Sequence, residues 1–277
     1  IGKVCLGLRS DYLAIATLLI SGIVVSAVKH EEWLTRGVKN VTGLKRPAPY
    51  EVDLQNSDWF INFIEFLFQG RLSKIYNLDE KIIALNELVI TSSGIFVKLC
   101  FSFIFSIVLI TILVFSERAL RSPWGRMMRA IRDNEDAAKA MGKNVVKRHL
   151  HIFIIGSAII GFSGAMLVTY DGLFTPASYQ PLRYTFIIWV MVLLGGTGNN
   201  YGAILGAFVV WFIWIESAPF ALFLIEILMS QTDDTNQLKI HLIDSIPYFR
   251  YLVMGLGLLL VMRYRPKGLL PEKIIKN

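Results

Sequence analysis

The apolar residues of the chain gather in six long blocks, and the charged residues collect between them. A hydrocarbon core of about 30 Å takes roughly 20 helical residues, fewer where the ends are interfacial. The stretches 12-28, 95-116, 152-170, 184-195, 203-220 and 250-262 are long or apolar enough to read as spans. The fourth is short and runs into Gly195-Gly196-Thr197-Gly198-Asn199-Asn200, which predicts an interrupted helix whose backbone is satisfied by neighbouring protein. The sixth is also short, but Tyr248, Phe249 and Tyr251 extend it with interfacial aromatics. Two further apolar pieces, Trp59 to Phe68 and Phe220 to Met229, are too short to cross and read as amphipathic helices lying along the membrane surface. The pattern predicts an all-α, polytopic transmembrane protein with about six spans and short surface helices.

Composition supports this class and excludes an ordinary soluble domain. Of 277 residues, 54% are hydrophobic and 18% charged, with a mean hydropathy of +0.53; soluble domains hold about 25% charged residues. The formal net charge of +7 would suggest acidic partners such as nucleic acid in a soluble protein. Placed on the spans, it reads instead as orientation. The connection 117-151 carries Arg118, Arg121, Arg126, Arg129, Arg132, Lys139, Lys143, Lys147 and Arg148, and the tail 263-277 adds Arg263, Arg265, Lys267, Lys273 and Lys276. Basic connections stay cytoplasmic, so both regions are expected inside, together with Lys3 and Arg9. The connections 171-183 and 221-249, with only Arg183 and Lys239, fall outside, and parity puts the long segment 29-93 outside too. The inner regions hold sixteen of the 28 basic and six of the 21 acidic residues.

Little ionisable chemistry lies within the spans. Lys98 is placed to snorkel from the outer end of the second, and Glu216 closes the fifth. His30, His149, His151 and His241 lie at interfaces too far apart in the topology to build a metal site or proton relay, and Cys5 and Cys100 read as small buried hydrophobes. Gly-Gly-Thr-Gly lacks the Gly-x4-Gly-Lys-Ser/Thr spacing of a phosphate-binding loop. Instead Gly198, Gly202 and Gly206 recur every four residues, as do Ser157, Gly161 and Ala165 in the third span. Such spacing makes a smooth face for close helix packing, and with Gly195 and Gly196 it is also where a transport pathway would run.

The connection 117-151 is the most informative stretch. Ser122-Pro123 predicts a capped helix start. Asp133-Asn134-Glu135-Asp136-Ala137-Ala138-Lys139-Ala140-Met141-Gly142 then describes a short helix of about two turns, with Asp133 as capping residue and a carboxylate, Asp136, three positions on, alanine-rich, and closed by a left-handed glycine. It is too short to be stable by itself. On the residues alone it could be a basic helix on lipid headgroups.

Asp136-Ala137-Ala138-x3-Gly142 resembles the Glu-Ala-Ala-x3-Gly signature of ABC importer permeases, with aspartate for the usual glutamate and Glu135 beside it. Gly125 to Gly142 resembles the LivM-type branch of the branched-chain amino acid permeases, a family that includes urea and short-chain amide transporters. Further blocks follow in family order: Arg9 to Leu18; Thr35 to Leu44, with Arg36 and Val41 in place of glycines; Leu194 to Gly198 with Gly202, Gly206 and Ala207; and Arg265-Pro266-Lys267-Gly268-Leu269. The stretch 51-93 is longer than the family leads one to expect, and the family's N-terminal spans are not seen.

The resemblance implies one ABC permease transmembrane domain over 1-277, lacking its N-terminal spans, in the cytoplasmic (inner) membrane of a bacterium or archaeon, with its C-terminus cytoplasmic. Glu135, Asp136, Ala137, Ala138 and Gly142 would couple to an ATPase. The implied partners are a second permease subunit, two cytoplasmic ABC ATPases, an external solute-binding protein and membrane lipid, without nucleic acid. No cofactor is implied in this chain, since ATP and Mg would sit in the ATPases. The subunit itself would catalyse no reaction. Leucine, isoleucine or valine is the implied solute, with urea or a short-chain amide as the alternative, and Thr17, Ser21, Ser157 and Ser163 are the polar groups offered to a pathway. An ion-coupled secondary transporter and a membrane scaffold stay open as other classes; the first usually needs intramembrane carboxylates, and the second leaves the capped short helix unexplained.

Overall fold

The structure is a computed structural model that describes residues 2–5, 10–35, 37, 39–176, 181–230 and 236–272. Arg9, Arg36, Lys273 and Lys276, which enter the orientation and resemblance arguments above, lie outside the described residues. The chain is helical almost throughout and divides into two compact units, Ile1–Ser178 and Tyr179–Asn277.

The first unit contains α1 (Gly2–Cys5), α2 (Ser10–His30), α3 (Glu32–Thr35), β1 (Val41–Thr42), α4 (Glu51–Gln55), α5 (Asp58–Leu67), α6 (Gln69–Leu72), α7 (Leu78–Arg121), α8 (Pro123–Asp133), α9 (Glu135–Ala140), α10 (Val145–Asp171) and β2 (Leu173–Phe174). β1 and β2 pair antiparallel, Val41 opposite Phe174 and Thr42 opposite Leu173. The second contains α11 (Pro181–Gly195), α12 (Asn200–Leu228), α13 (Gln237–Asp244) and α14 (Ile246–Tyr264). All six apolar blocks are helical. Among the described residues four helices, α7, α10, α12 and α14, are long and apolar enough to cross a membrane, and the apolar parts of α2 and α11, Ile15–His30 and Tyr184–Gly195, are shorter.

Two elements run further than the hydropathy pattern suggests. The span expected to begin at residue 95 belongs to a 44-residue helix that starts at Leu78, roughly 66 Å long at 1.5 Å per residue. Asn77 caps it by accepting from the Asp79 N–H at 3.3 Å. Val89, Ser93, Val97 and Phe101, four residues apart, then form one buried stripe on α7. Leu54 of α4 and Phe60 and Ile64 of α5 join the same cluster. The segment Trp59 to Phe68 is therefore a helix packed on α7, its exposed side carrying Trp59 and Phe66. The buried Ser93 hydroxyl is satisfied, receiving Gln55 Nε2 at 2.9 Å and donating to the Ile90 carbonyl at 2.8 Å.

The second difference corrects the separate surface helix expected at Phe220 to Met229. α12 continues unbroken through Pro219 to Leu228. Proline removes one backbone donor, which membrane helices tolerate when neighbouring groups re-satisfy the freed carbonyl. Val210 and Trp214 of α12 form a core with Ile187, Val190 and Leu194 of α11 and Met254 of α14.

Candidate functional site

The connection between α7 and α10 folds as a hairpin defined by three successive caps. Ser122 accepts from the Gly125 N–H at 3.3 Å and starts α8. Asn134 accepts from the Ala137 N–H at 2.9 Å and starts α9. Asn144 accepts from the Lys147 N–H at 3.0 Å and starts α10. The cap of α9 is thus Asn134, one position later than the expected Asp133, which ends α8 and pairs with Arg132 at 3.1 Å. Glu135 and Asp136 then occupy the first turn of α9, where carboxylates oppose the positive end of the helix dipole.

Gly142 closes α9 with φ +74°. Its N–H donates to the Lys139 carbonyl at 2.9 Å, and the Lys143 N–H donates to the Ala138 carbonyl at 3.1 Å. These two bonds are the Schellman arrangement, which needs a left-handed residue there.

The hairpin has its own small core: Met128 and Ile131 of α8, Ala138 of α9 and Val145 of α10, with Trp124 and Met127 packed against it. Ala137 and Ala138 therefore differ. Ala138 is buried against the hairpin and Ala137 is exposed, beside Met141, 79% exposed, and Gly142. The hairpin is also fastened to the C-terminal end of α7. Arg126 donates to the Arg121 carbonyl at 3.3 Å and Arg129 to the Leu120 carbonyl at 3.0 Å, satisfying terminal carbonyls at the negative pole of α7. Gly125 fits because a side chain there would strike the Ala119 and Leu120 carbonyls.

Lys139 Nζ lies 2.8 Å from Glu135 Oε1 and 3.9 Å from Asp136 Oδ1. The hydrogen bond to Lys139 holds the Glu135 carboxyl below its ordinary range, and the same bond raises Lys139.

The glycine block of the second unit makes a second constellation. Gly195 of α11 meets Gly202 and Gly206 of α12 backbone to backbone: a side chain at Gly202 would come within 2.7 Å of the Gly195 carbonyl, and one at Gly206 would meet the Gly195 α-carbon at 2.8 Å. The segment after α14 closes over the same turn. The Leu269 N–H donates to the Leu194 carbonyl and the Leu270 N–H to the Gly195 carbonyl, both at 2.9 Å, and Asn199 Nδ2 donates to the Pro271 carbonyl at 3.3 Å. Gly268 (φ +77°) packs on Gly196 (φ +121°), and a side chain at Gly198 would meet the Glu272 carboxylate. Arg265-Pro266-Lys267-Gly268-Leu269 thus lies beside the α11–α12 turn, so the turn and the C-terminal segment share one side of the membrane.

The remaining polar candidates are not gathered into a site. Ser21 and Ser163 donate within their own helices, to the Leu18 carbonyl at 2.9 Å and the Ile159 carbonyl at 3.0 Å. Thr17 is half-buried, Ser157 is exposed, and Gly161 has nothing within 4 Å of where a side chain would start. The Asn134 cap and the bonds of the C-terminal segment had no reading in the residue pattern, although asparagine before an acidic first turn is a recognisable start signal.

The profile of the family described as "Branched-chain amino acid transport system / permease component" matches residues 1–262. A probable branched-chain amino acid transport permease protein LivM of Methanocaldococcus jannaschii is 31% identical over 179 residues, 63% of this chain and 47% of that protein. The high-affinity branched-chain amino acid transport system permease protein LivM of Salmonella typhimurium is 25% identical over 278 aligned positions, 98% of this chain and 53% of that protein. A fructose import permease protein FrcC of Rhizobium meliloti is 31% identical over 94 residues, 32% of this chain and 26% of that protein. The chain spans about half the length of the branched-chain permeases it matches. No solved structure matches.

Proposed function

The chain belongs to the branched-chain amino acid transport permease family, and on that footing we propose that it is a membrane-spanning subunit of an ATP-driven importer of leucine, isoleucine and valine in an inner membrane. α9 would seat in a groove of a cytoplasmic ABC ATPase, which supplies the ATP and Mg chemistry. This chain contributes helices and no reaction of its own. A second permease subunit, a second ATPase and an external solute-binding protein would complete the complex, with residues 117–151 and the C-terminus on the cytoplasmic side.

The observation that carries this reading is the hairpin. A six-residue helix cannot hold itself together, yet α9 is capped at both ends and braced on a private core. That construction presents Ala137, Met141 and Gly142 outward on a rigid base. Relative movement of the ATPases would then act on α9 as on a handle, switching the spans between two arrangements.

The exposed side of α9 provides the test. With the partner subunits co-expressed, Ala137→Arg should abolish both uptake and ATPase co-purification while membrane insertion stays normal. Ala138→Arg is a poorer probe because it disrupts the hairpin's own core. Undiminished uptake by Ala137→Arg would sink the coupling role. Competition of leucine uptake by urea or acetamide, or by fructose in view of the partial likeness to a fructose permease, would move the solute assignment to that class.

A further inference from the structure

Arg46, in the external stretch before α4, is the least expected charged residue of the first unit. Its side chain is only 9% exposed, and its Nε is buried without a hydrogen-bond partner. The guanidinium lies over the Tyr50 ring at 3.8 Å and 3.6 Å from Glu51 Oε2. Tyr50 is held in turn by its hydroxyl on the Leu44 carbonyl at 2.7 Å. Above all, the guanidinium sits against Gly172, the left-handed residue (φ +63°) that ends α10, where a side chain would start 2.8 Å from Nη2. A cation at a helix C-terminus is favourable. On either side of this contact the β1–β2 pair and the edge-to-face contact of Tyr170 with Phe101, 5.2 Å between centroids, hold the same end of α10.

α10 is held differently along its length. At its other end Val145 belongs to the hairpin core that braces α9, and α1 rests on it where Gly2 meets Leu150 and Phe153. None of its most apolar stretch between these points is buried. It is a rod of 27 residues, roughly 40 Å, pinned at both ends. Burying an arginine with an unsatisfied nitrogen is a costly way to fasten a helix where an apolar plug would serve. A charged clasp has one property an apolar plug lacks: it can be released into water, where the guanidinium is fully hydrated.

We propose that Arg46 is a positioning residue that clasps the outer end of α10 to the external strap 41–50, and that opening and closing of this clasp links the external face to α9 through α10. This rests on the permease reading above. A docked, loaded binding protein on the external side would bias the clasp, and the displaced α10 would carry the change to the hairpin.

The test uses the complete complex with its binding protein in proteoliposomes. Wild-type complex whose ATPase is not stimulated by loaded binding protein would contradict the permease reading itself, whatever the variants do. With stimulation present, Arg46→Met, which keeps the stem and removes the charge, should cut it about tenfold while basal ATPase stays within about twofold, and Arg46→Lys should restore part of it. Gly172→Ala, which pushes into the guanidinium, should give the same split. The double variant Val41→Cys with Phe174→Cys should form a disulfide that stops uptake and yields to reductant, with each single cysteine transporting normally. Retained stimulation in Arg46→Met, a parallel fall of basal and stimulated rates, or unimpaired uptake by the cross-linked form would each overturn the proposal.

Discussion

α12 and α10 both carry small residues every fourth position, and only α12 uses them within this chain. Gly202 and Gly206 of α12 are buried against the backbone of α11, with Gly195 facing them. On α10 Ser157 and Ala165 are exposed and Gly161 has nothing within 4 Å of where a side chain would begin. Between membrane helices there is no hydrophobic drive, because lipid tails are as apolar as leucine. Small residues therefore permit close approach without causing it. On α11 and α12 the approach is fixed by glycine meeting glycine and by the C-terminal segment that bonds to the Leu194 and Gly195 carbonyls. Among the described residues α10 has no such fastener along its middle and is held at its ends.

One matched substitution breaks this comparison if it is mistaken. Gly206→Ala adds a single carbon that must displace the Met191 carbonyl and Gly195, and it should cost about 3 kcal/mol, the upper range for overpacking. Gly161→Ala adds the same carbon into open space and should be neutral or stabilising by up to about 1 kcal/mol, the helix propensity gained. Thermal unfolding of the purified protein in detergent compares them directly. Equal shifts would mean that α10 packs as tightly as α12.

Gly142 sharpens the contrast as a third case, with open space around it but a left-handed backbone. Gly142→Ala should cost about 1 kcal/mol through conformation alone, and Gly142→Asn less, because asparagine tolerates that region. Amide exchange of 135–143 in the intact protein would report the loss as faster exchange confined to α9. A change spreading into α7 would show that Gly142 packs rather than turns.

What could be read from the residues was what local rules determine. Ser122-Pro123 and Gly142 signal a helix start and stop within a few residues of themselves, and both act as expected. The cap of α9 slipped by one because Asp133 and Asn134 are both competent caps, and only the extended backbone of Asn134 decides between them. The six-residue α9 has no periodicity to say which alanine faces inward; α8 and α10 decide that through Ile131 and Val145. The start of α7 was hidden because Glu80, Lys81 and Glu87 end an apolar block without ending a helix. The glycine block was legible as packing, whereas its closure by Leu269 and Leu270 joins residues about seventy-five positions apart. Arg46 on Gly172 is hidden for the same reason: nothing near either residue in sequence points to the other.

The smallest effect is expected where neither contact nor strain is involved, at the exposed Glu135–Lys139 pair of α9. Its bond lowers Glu135 and raises Lys139. A carboxyl lowered in the folded state stabilises above its unfolded pKa, and that contribution is lost as pH falls through the folded value. A raised lysine stabilises below its unfolded pKa, and its contribution is lost as pH rises through the folded value. The pair is therefore intact across the neutral range and fails at both extremes. Both side chains are about half exposed, so salt screens the pair and its contribution is small. Acidification should speed amide exchange of α9, after correction for the intrinsic rate, by less than about twofold, and Lys139→Gln should remove that acid limb while leaving the response of α8 unchanged. An acid limb that persists in Lys139→Gln would show that this pair is not its source.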